Sequence, residues 1–292
     1  MQMERVKQSG DRTGAFGGVA VRRSFLVLIC AFIAVSVGSV TVVQAESGHS
    51  SNSIVQERLR GQAILERMDE VLFPRSFETY FSVENRRPRG DPKHFTFYAA
   101  RKGSDRWVAL ITEPEERRGE SYLKIGDALW VRKPGAYNAS RLSLAGSMIQ
   151  GMLSNADLLP SAFHVDYHAV VESEESDLYT LKLTPKRTTL PYREITMQVH
   201  TKLMAPVTVT YFGAGPEPLK VIAFKNVRRL STLRQRPMQL HATNRDNPRY
   251  QSFQRIGSIE ERVFPDEVFT PGFLPRVGRL LLPGRIEDIV GR

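Results

Sequence analysis

The chain of 292 residues has a single cysteine, Cys30. No intramolecular disulfide can staple it, so stability must come from a hydrophobic core. It has no His-Glu-x-x-His, no Gly-x-Ser-x-Gly and no glycine-rich phosphate loop. The commonest signatures of zinc hydrolases, serine hydrolases and nucleotide-binding enzymes are therefore missing. Acidic pairs such as Glu115-Glu116 and Glu174-Glu175 fall in predicted turns. Two carboxylates on solvated loops do not make a glycosidase site. Internal repeats and low-complexity tracts are absent as well. Nothing here points to an enzyme, and no cofactor is expected.

There is one long apolar run. Arg22-Arg23 precede Phe25 to Val43, which is broken only by Ser36, Gly38, Ser39 and Thr41 and ends at Val43-Gln44-Ala45. A basic start, an apolar stretch and a small-residue end form the pattern of a signal peptide cleaved after Ala45. The length would also suit an uncleaved anchor, but the Ser/Gly interruptions and Ala45 favour cleavage. Cys30 follows Ile29, which is not the small residue a lipidation site requires. The expected organisation is an N-terminal extension and signal peptide over 1–45, a flexible linker over 46–52, one domain over 53–275 and a tail over 276–292. An exported chain without disulfides needs an ordinary core, and a β-rich domain of this size can supply one.

The net charge is +10. Residues 1–45 hold five basic and two acidic side chains, so a chain cut after Ala45 keeps +7. Export argues against nucleic acid as a partner and leaves anionic lipid headgroups or an acidic protein. The basic clusters Arg86/Arg87/Arg89, Arg228/Arg229 and Arg234/Arg236 are either ordinary surface charge or contacts to lipid phosphates.

Ser53 to Leu72 has the spacing of a helix. Ser53 can cap it, Ile54, Leu59, Ile64, Leu65, Met68, Val71 and Leu72 trace its apolar stripe, and Pro74 ends it. Alternating runs follow. Phe77, Thr79, Phe81 and Val83 share one strand face, and Phe95, Phe97 and Ala99 begin the next strand. Trp107–Ile111 is almost continuously apolar, so both of its faces should be covered. Further strands are expected over Val165–Val171, Leu178–Leu183, Arg193–Val199, Pro206–Phe212, Leu219–Phe224 and Pro237–Thr243. About ten strands joined by meander-length turns argue for one large antiparallel sheet. On the strand over 165–171, His164, Asp166 and His168 would share a face. His-x-Asp-x-His could hold zinc, although a solvated strand face has the same composition.

The segment from Arg118 to Pro160 carries the most information. Tyr122–Ile125 and Ala128–Val131 flank the turn Gly126-Asp127, and the second strand carries Trp130 before Pro134. After it Leu142, Ala145, Ile149, Met152 and Leu153 recur at helical spacing with Met148 beside them. A methionine-rich apolar piece flanked by Gly146 and Gly151 suits a soft cover over something apolar.

The order of these parts resembles the outer-membrane lipoprotein-sorting protein family, relatives of the periplasmic lipoprotein carrier (LolA-like). Gly126, Asp127, Trp130 and Pro134 match the family's strand pair, and Ser147, Ser154, Asp157 and Leu158 match the segment after it. Met148 and Leu153 stand where the family has Phe, Gln150 replaces Gly and Met152 replaces Asp, so this segment is more apolar here. Pro265–Thr270 followed by Leu274 is similar to the family's ending. The resemblance covers roughly residues 55–275.

It implies an α+β fold: an open, strongly curved antiparallel sheet, an unclosed barrel, with helices over its concave apolar side. It implies a periplasmic carrier that holds the acyl chains of a lipoprotein or phospholipid and exchanges them with membrane-bound donor and acceptor proteins. The alternative is a non-transport module on the same fold, for interaction or envelope sensing. The expected cavity lining is Phe81, Phe95, Phe97, Trp107, Trp130, Leu144, Met148, Ile149, Met152, Leu153 and Phe163.

Overall fold

In the computed structural model the described residues are 47–230 and 235–282. The expected signal peptide, with Cys30 and Ala45, lies outside them, as do Arg234 and residues 283–292. Thirteen antiparallel strands make one sheet. After helix α1 (Ser47–Leu72) come β1 (Ser76–Arg86), β2 (Lys93–Lys102), β3 (Arg106–Glu113), β4 (Ser121–Ile125), β5 (Ala128–Arg132) and β6 (Ser140–Leu142). A crossover then carries two short helices, α2 (Asn155–Leu158) and α3 (Phe163–Asp166). The second series is β7 (Tyr167–Glu175), β8 (Leu178–Pro185), β9 (Glu194–His200), β10 (Ala205–Phe212), β11 (Pro218–Arg229), β12 (Gln235–Thr243) and β13 (Gln251–Glu261).

The strand order explains why the sheet stays open. β1 sits mid-sheet, and β2 to β6 are added outward on one side. The chain then starts again at the far edge with β7 and returns strand by strand until β13 pairs with β1. β6 and β7 are the two edges and do not meet, so residues 143–166 must run between them. Both edges are protected against further pairing. β6 has three residues, and β7 ends in Glu172, Glu174 and Glu175.

Two cores form on the two faces. On the concave side lies the larger cluster, with Phe77, Phe81, Val83, Phe97, Ile111, Leu181, Ile195 and Val209, closed by Ile64, Leu65, Met68 and Leu72 of α1. The convex side is covered by the C-terminal segment. Phe264, Phe269, Phe273, Leu274, Val277 and Leu280 bury Tyr98, Val108, Leu110 and Leu123. Strand β3 feeds both cores: Trp107, Ala109 and Ile111 face one, Val108 and Leu110 the other. This is why its sequence is apolar without alternation. The residues expected to form a tail thus pack at least to Leu280, in an irregular 3-10 segment, Pro271–Leu281.

Three expectations are corrected. First, α1 begins at Ser47 and so runs through the expected linker. Ser53 lies inside the helix, because once a helix is nucleated each added residue gains a hydrogen bond. Of its apolar stripe, Ile54 and Leu59 are exposed. The helix instead presses on β7 through Gly61, where a Cβ would stand 2.8 Å from the Ala169 carbonyl oxygen. Second, residues 163–166 are a helical turn rather than strand, so His164, Asp166 and His168 do not share a face. Among the described residues no group of three His, Cys, Asp or Glu side chains could hold a metal ion. Third, the helical spacing over 142–153 gives turns, not a helix.

Candidate functional site

The non-helical crossover is held by side chains that satisfy its backbone groups one by one, as buried backbone requires. Asn85 on β1 donates from Nδ2 to the Ile149 carbonyl at 2.9 Å and accepts at Oδ1 from the Ser252 hydroxyl at 2.6 Å. The Ser252 hydroxyl in turn accepts the Met152 N–H at 2.8 Å. Arg117 donates to the Met148 carbonyl at 2.8 Å, and Arg87 and Tyr250 donate to the Gln150 carbonyl at 2.7 and 3.1 Å. Gln150 adopts φ +53°, in the left-handed region. A helix could not keep this residue or accept these partners, and Gly151 passes so close to Asn85 that any Cβ would overlap its Oδ1.

The next stretch is tied down by charge. Ser154 caps α2 in a reciprocal box with Asp157. Asp157 also meets Lys220 of β11, and both side chains are buried. The Lys220 ammonium donates to the Tyr192 hydroxyl at 2.6 Å, and that hydroxyl lies 2.8 Å from Ser154 Oγ. Burial pulls Lys220 below its ordinary value, opposed by Asp157. At the far end of the crossover, Arg187 bridges Asp127 at 2.8 Å and Asp166 at 2.6 Å. This holds Asp127 below the usual carboxylate range. His164 Nδ1 and its backbone N–H both reach Asp69 Oδ2 at 2.8 Å, and this bond raises the His164 pKa. The family-matching Gly126, Asp127, Ser154 and Asp157 are therefore positioning residues of the crossover, with Gly126 supplying a turn at φ +54°.

Between this crossover, the end of α1 and the sheet lies a cavity of about 110 Å³. Its walls include Phe77, Phe81 and Trp107 from the first series of strands, and Ile195, Ile222, Phe224, Leu240, Ile256 and Ile259 from the second. Leu72, Phe73, Leu144, Leu158 and Phe163 cover it. Trp107 stands edge-on to Phe77 at 5.6 Å, and its indole N–H is satisfied by the Pro160 carbonyl at 2.8 Å. The wall and cover are thus joined by a hydrogen bond at the ring that faces the cavity.

Of the eleven residues expected to line the cavity, Phe81, Trp107, Leu144 and Phe163 do so. Phe95, Phe97, Ile149 and Leu153 are buried in the same concave core, with Met148 and Met152 packed against it, but they touch other side chains rather than open space. Phe97, for example, stacks on Phe81 at 4.9 Å. Trp130 is on the other face, with the Arg141 guanidinium 4.5 Å above it. On β5 Leu129 points into the concave core, so its neighbour must point out.

Sequence reasoning missed several polar members of the wall, among them Lys124, Arg236 and Gln254, beside Asp157, Ser161 and Asp166 of the crossover. Burial pushes Lys124 down to about 8, and its ammonium donates to Ser161 Oγ at 2.6 Å. Arg236, expected in a surface cluster, is buried. Its guanidinium donates to the Leu72 carbonyl at the end of α1. Arg101, also buried, lies with its guanidinium 4.1 Å from the Phe73 ring. Burial lowers Arg101 to about 10, and burial together with Arg101 lowers Arg236 to about 9. Both stay charged at neutral pH. Strand alternation was the available signal, since Arg101 follows Phe95, Phe97 and Ala99 on one face, and Arg236 precedes Met238, Leu240 and Ala242 on another.

Comparison with known proteins agrees with this architecture. A family model described as an uncharacterized protein matches residues 103–276, more than half of the chain. No curated protein matches the sequence. The fold is similar to that of a LolA superfamily protein from Nitrosomonas europaea, at 26% identity and TM-score 0.68, over 73% of this chain and 98% of that one. It is similar to a DUF1329 family protein from Desulfovibrio piger, at 19% identity and TM-score 0.67, over 75% and 99% of the two chains. A domain assigned to outer membrane lipoprotein sorting in Vibrio parahaemolyticus superposes at TM-score 0.65 and 13% identity, over 75% and 100%. The chain therefore belongs to the matched family, and its fold is that of the LolA superfamily and of outer-membrane lipoprotein-sorting proteins.

Proposed function

We propose that this protein is a carrier of lipid acyl chains, working in the periplasm after export, in the domain that follows the signal peptide. The observation that carries the reading is the cavity, walled by both series of strands and closed by a separate, side-chain-latched crossover. Acyl transfer from water returns about 0.8 kcal/mol per CH2, so a sixteen-carbon chain gains on the order of 12 kcal/mol before binding costs. No covalent step is needed; the crossover has only to open and close. The cavity of about 110 Å³ is below the roughly 300–1,000 Å³ usual for ligand pockets. In this reading the cavity is in a closed form, and loading displaces its cover, which includes Phe73, Leu144 and Phe163. The residues placed around the cavity are binding residues in this reading, and membrane-bound proteins would donate and accept the cargo.

The same small cavity gives weight to a second reading, an interaction or envelope-sensing module that holds no lipid. Organic extraction and mass spectrometry of protein purified from its own periplasm without detergent separates the two. Stoichiometric lipid is the expected result. A lipid-free protein that also ignores added fatty-acid probes would favour the module.

A further inference from the structure

The cavity wall contains a cation that the protein itself does not neutralise. Arg236 is buried, and among the described residues one of its five N–H donors has an acceptor, the Leu72 carbonyl. Its Nε has no acceptor among the described residues. The charge it feels most is that of Arg101, another buried cation, whose own Nε also lacks an acceptor. Asp69 and Asp105 act on Arg101, and Asp69 is already engaged by His164. No carboxylate lies within ion-pair distance of Arg236 among the described residues. On the neighbouring strand β13, Gln254 also lines the cavity, and its Oε1 is buried without a partner among the described residues. Rotation of that amide presents either a donor or an acceptor.

An unpaired buried charge is costly, and the cost falls when an anion shares the site. Phe81, Leu240, Ile256 and Ile259 give the wall a broad apolar part. Of its other charged members, Asp157 and Asp166 are ion-paired to Lys220 and Arg187, and Lys124 donates to Ser161. The complementary ligand therefore has a long apolar body and one anionic end. A carboxylate suits a guanidinium because it can accept two parallel N–H bonds, as a phosphate also can. A carboxylate is also terminal and compact, so it can enter an enclosed space. A phosphodiester carries a substituent on its far side that would need solvent.

We propose that the cavity takes a free long-chain fatty acid head first, its carboxylate on the Arg236 guanidinium and its tail along Phe81, Ile256 and Ile259. This rests on the acyl-carrier reading and narrows its cargo. Phe81 and Ile256 are register partners on β1 and β13, so the tail would follow the seam where the two series of strands join. The buried end distinguishes this cargo from a diacyl phospholipid or a lipoprotein, whose polar parts would remain outside.

The test is a binding titration of the full chain with palmitate, methyl palmitate and dipalmitoylphosphatidylglycerol at neutral pH. Hydrogen bonds to a charged group predict that palmitate binds at least about tenfold more tightly than its ester. Arg236→Met should lower palmitate to the affinity of the ester, and Arg236→Lys should keep part of the preference. Equal binding of acid and ester by the unaltered chain, or tighter binding of the phospholipid, overturns the fatty-acid assignment and leaves the carrier reading standing. Binding of none of the three overturns both. The comparison of ligands on the unaltered chain does not depend on any variant folding.

Discussion

Lys220→Met should loosen the crossover from the sheet, and the structure sets the size of the effect. Lys220 on β11 and Asp157 on α2 form an ion pair with side chains 5% and 4% exposed. Breaking a buried pair by removing one partner typically costs about 3–5 kcal/mol, because the other charge is left without compensation. Here Asp157 would retain the Ser154 N–H at 2.6 Å, the Ser154 hydroxyl at 2.8 Å and the Tyr192 hydroxyl at 3.0 Å. Those donors place the loss near the lower end, about 3 kcal/mol. Adding Asp157→Leu removes the stranded charge but also the Asp157 half of the capping box of α2, worth up to about 1 kcal/mol. The double variant should therefore be less damaged than the sum of the singles, with a coupling energy on the order of 2 kcal/mol.

Urea unfolding read by tryptophan fluorescence measures this, and the chain suits the method. Of its two tryptophans, Trp107 is bonded to Pro160 of the crossover and Trp130 sits on the opposite face. In a Trp130→Phe background the signal reports on the crossover and cavity wall. A fall in the midpoint at unchanged slope would show a pure stability loss. A cost below about 1 kcal/mol for Lys220→Met, the range of an exposed pair, would refute the claim that this pair fastens the crossover. So would strict additivity with Asp157→Leu.

Gly151→Ala should open the latch from the other end, since the new methyl overlaps Asn85 Oδ1 and breaks its bonds to Ile149 and Ser252. The expected cost is about 1–3 kcal/mol, and stopped-flow uptake of a fluorescent fatty acid should quicken; slower uptake would mean that the latch does not limit entry. His164 and Asp69 should make stability depend on pH. The His164 pKa is raised above its ordinary 6.5, chiefly by its bond to Asp69, and burial raises Asp69 as well. Groups raised on folding favour the protonated native state, so their contribution is full below the unfolded values and is lost as pH rises through the folded ones. The melting temperature should fall as pH rises from about 6 to 8, and His164→Gln should flatten that slope.

What the sequence displayed and what it hid divide along a physical line. Trp107–Ile111 is legible as a two-sided strand because both of its faces are dry, and Phe77 to Val83 because one face is. β13 was not legible. Gln254 and Ile256 share the concave face, but the register slips at Gly257, so that Phe81 pairs with Ile256 and Tyr80 with Ser258. The bulge shifts the phase of the alternation, and Ile259 no longer continues the row. β6 escaped notice because three residues cannot show a period. The crossover misled for a different reason. Leu142, Ile149 and Leu153 are buried or half-buried, as an apolar stripe should be, but the carbonyls and N–H groups around them are taken by Asn85, Arg117 and Ser252 from distant strands. Local spacing records which side chains are apolar; it cannot record which remote donors compete for the backbone. The buried arginines follow the same rule in reverse. Strand alternation placed Arg101 and Arg236 inward, while their chemistry suggested the surface, and position prevailed. When pattern and chemistry disagree at one residue of an otherwise regular strand, that residue is the one to ask about function.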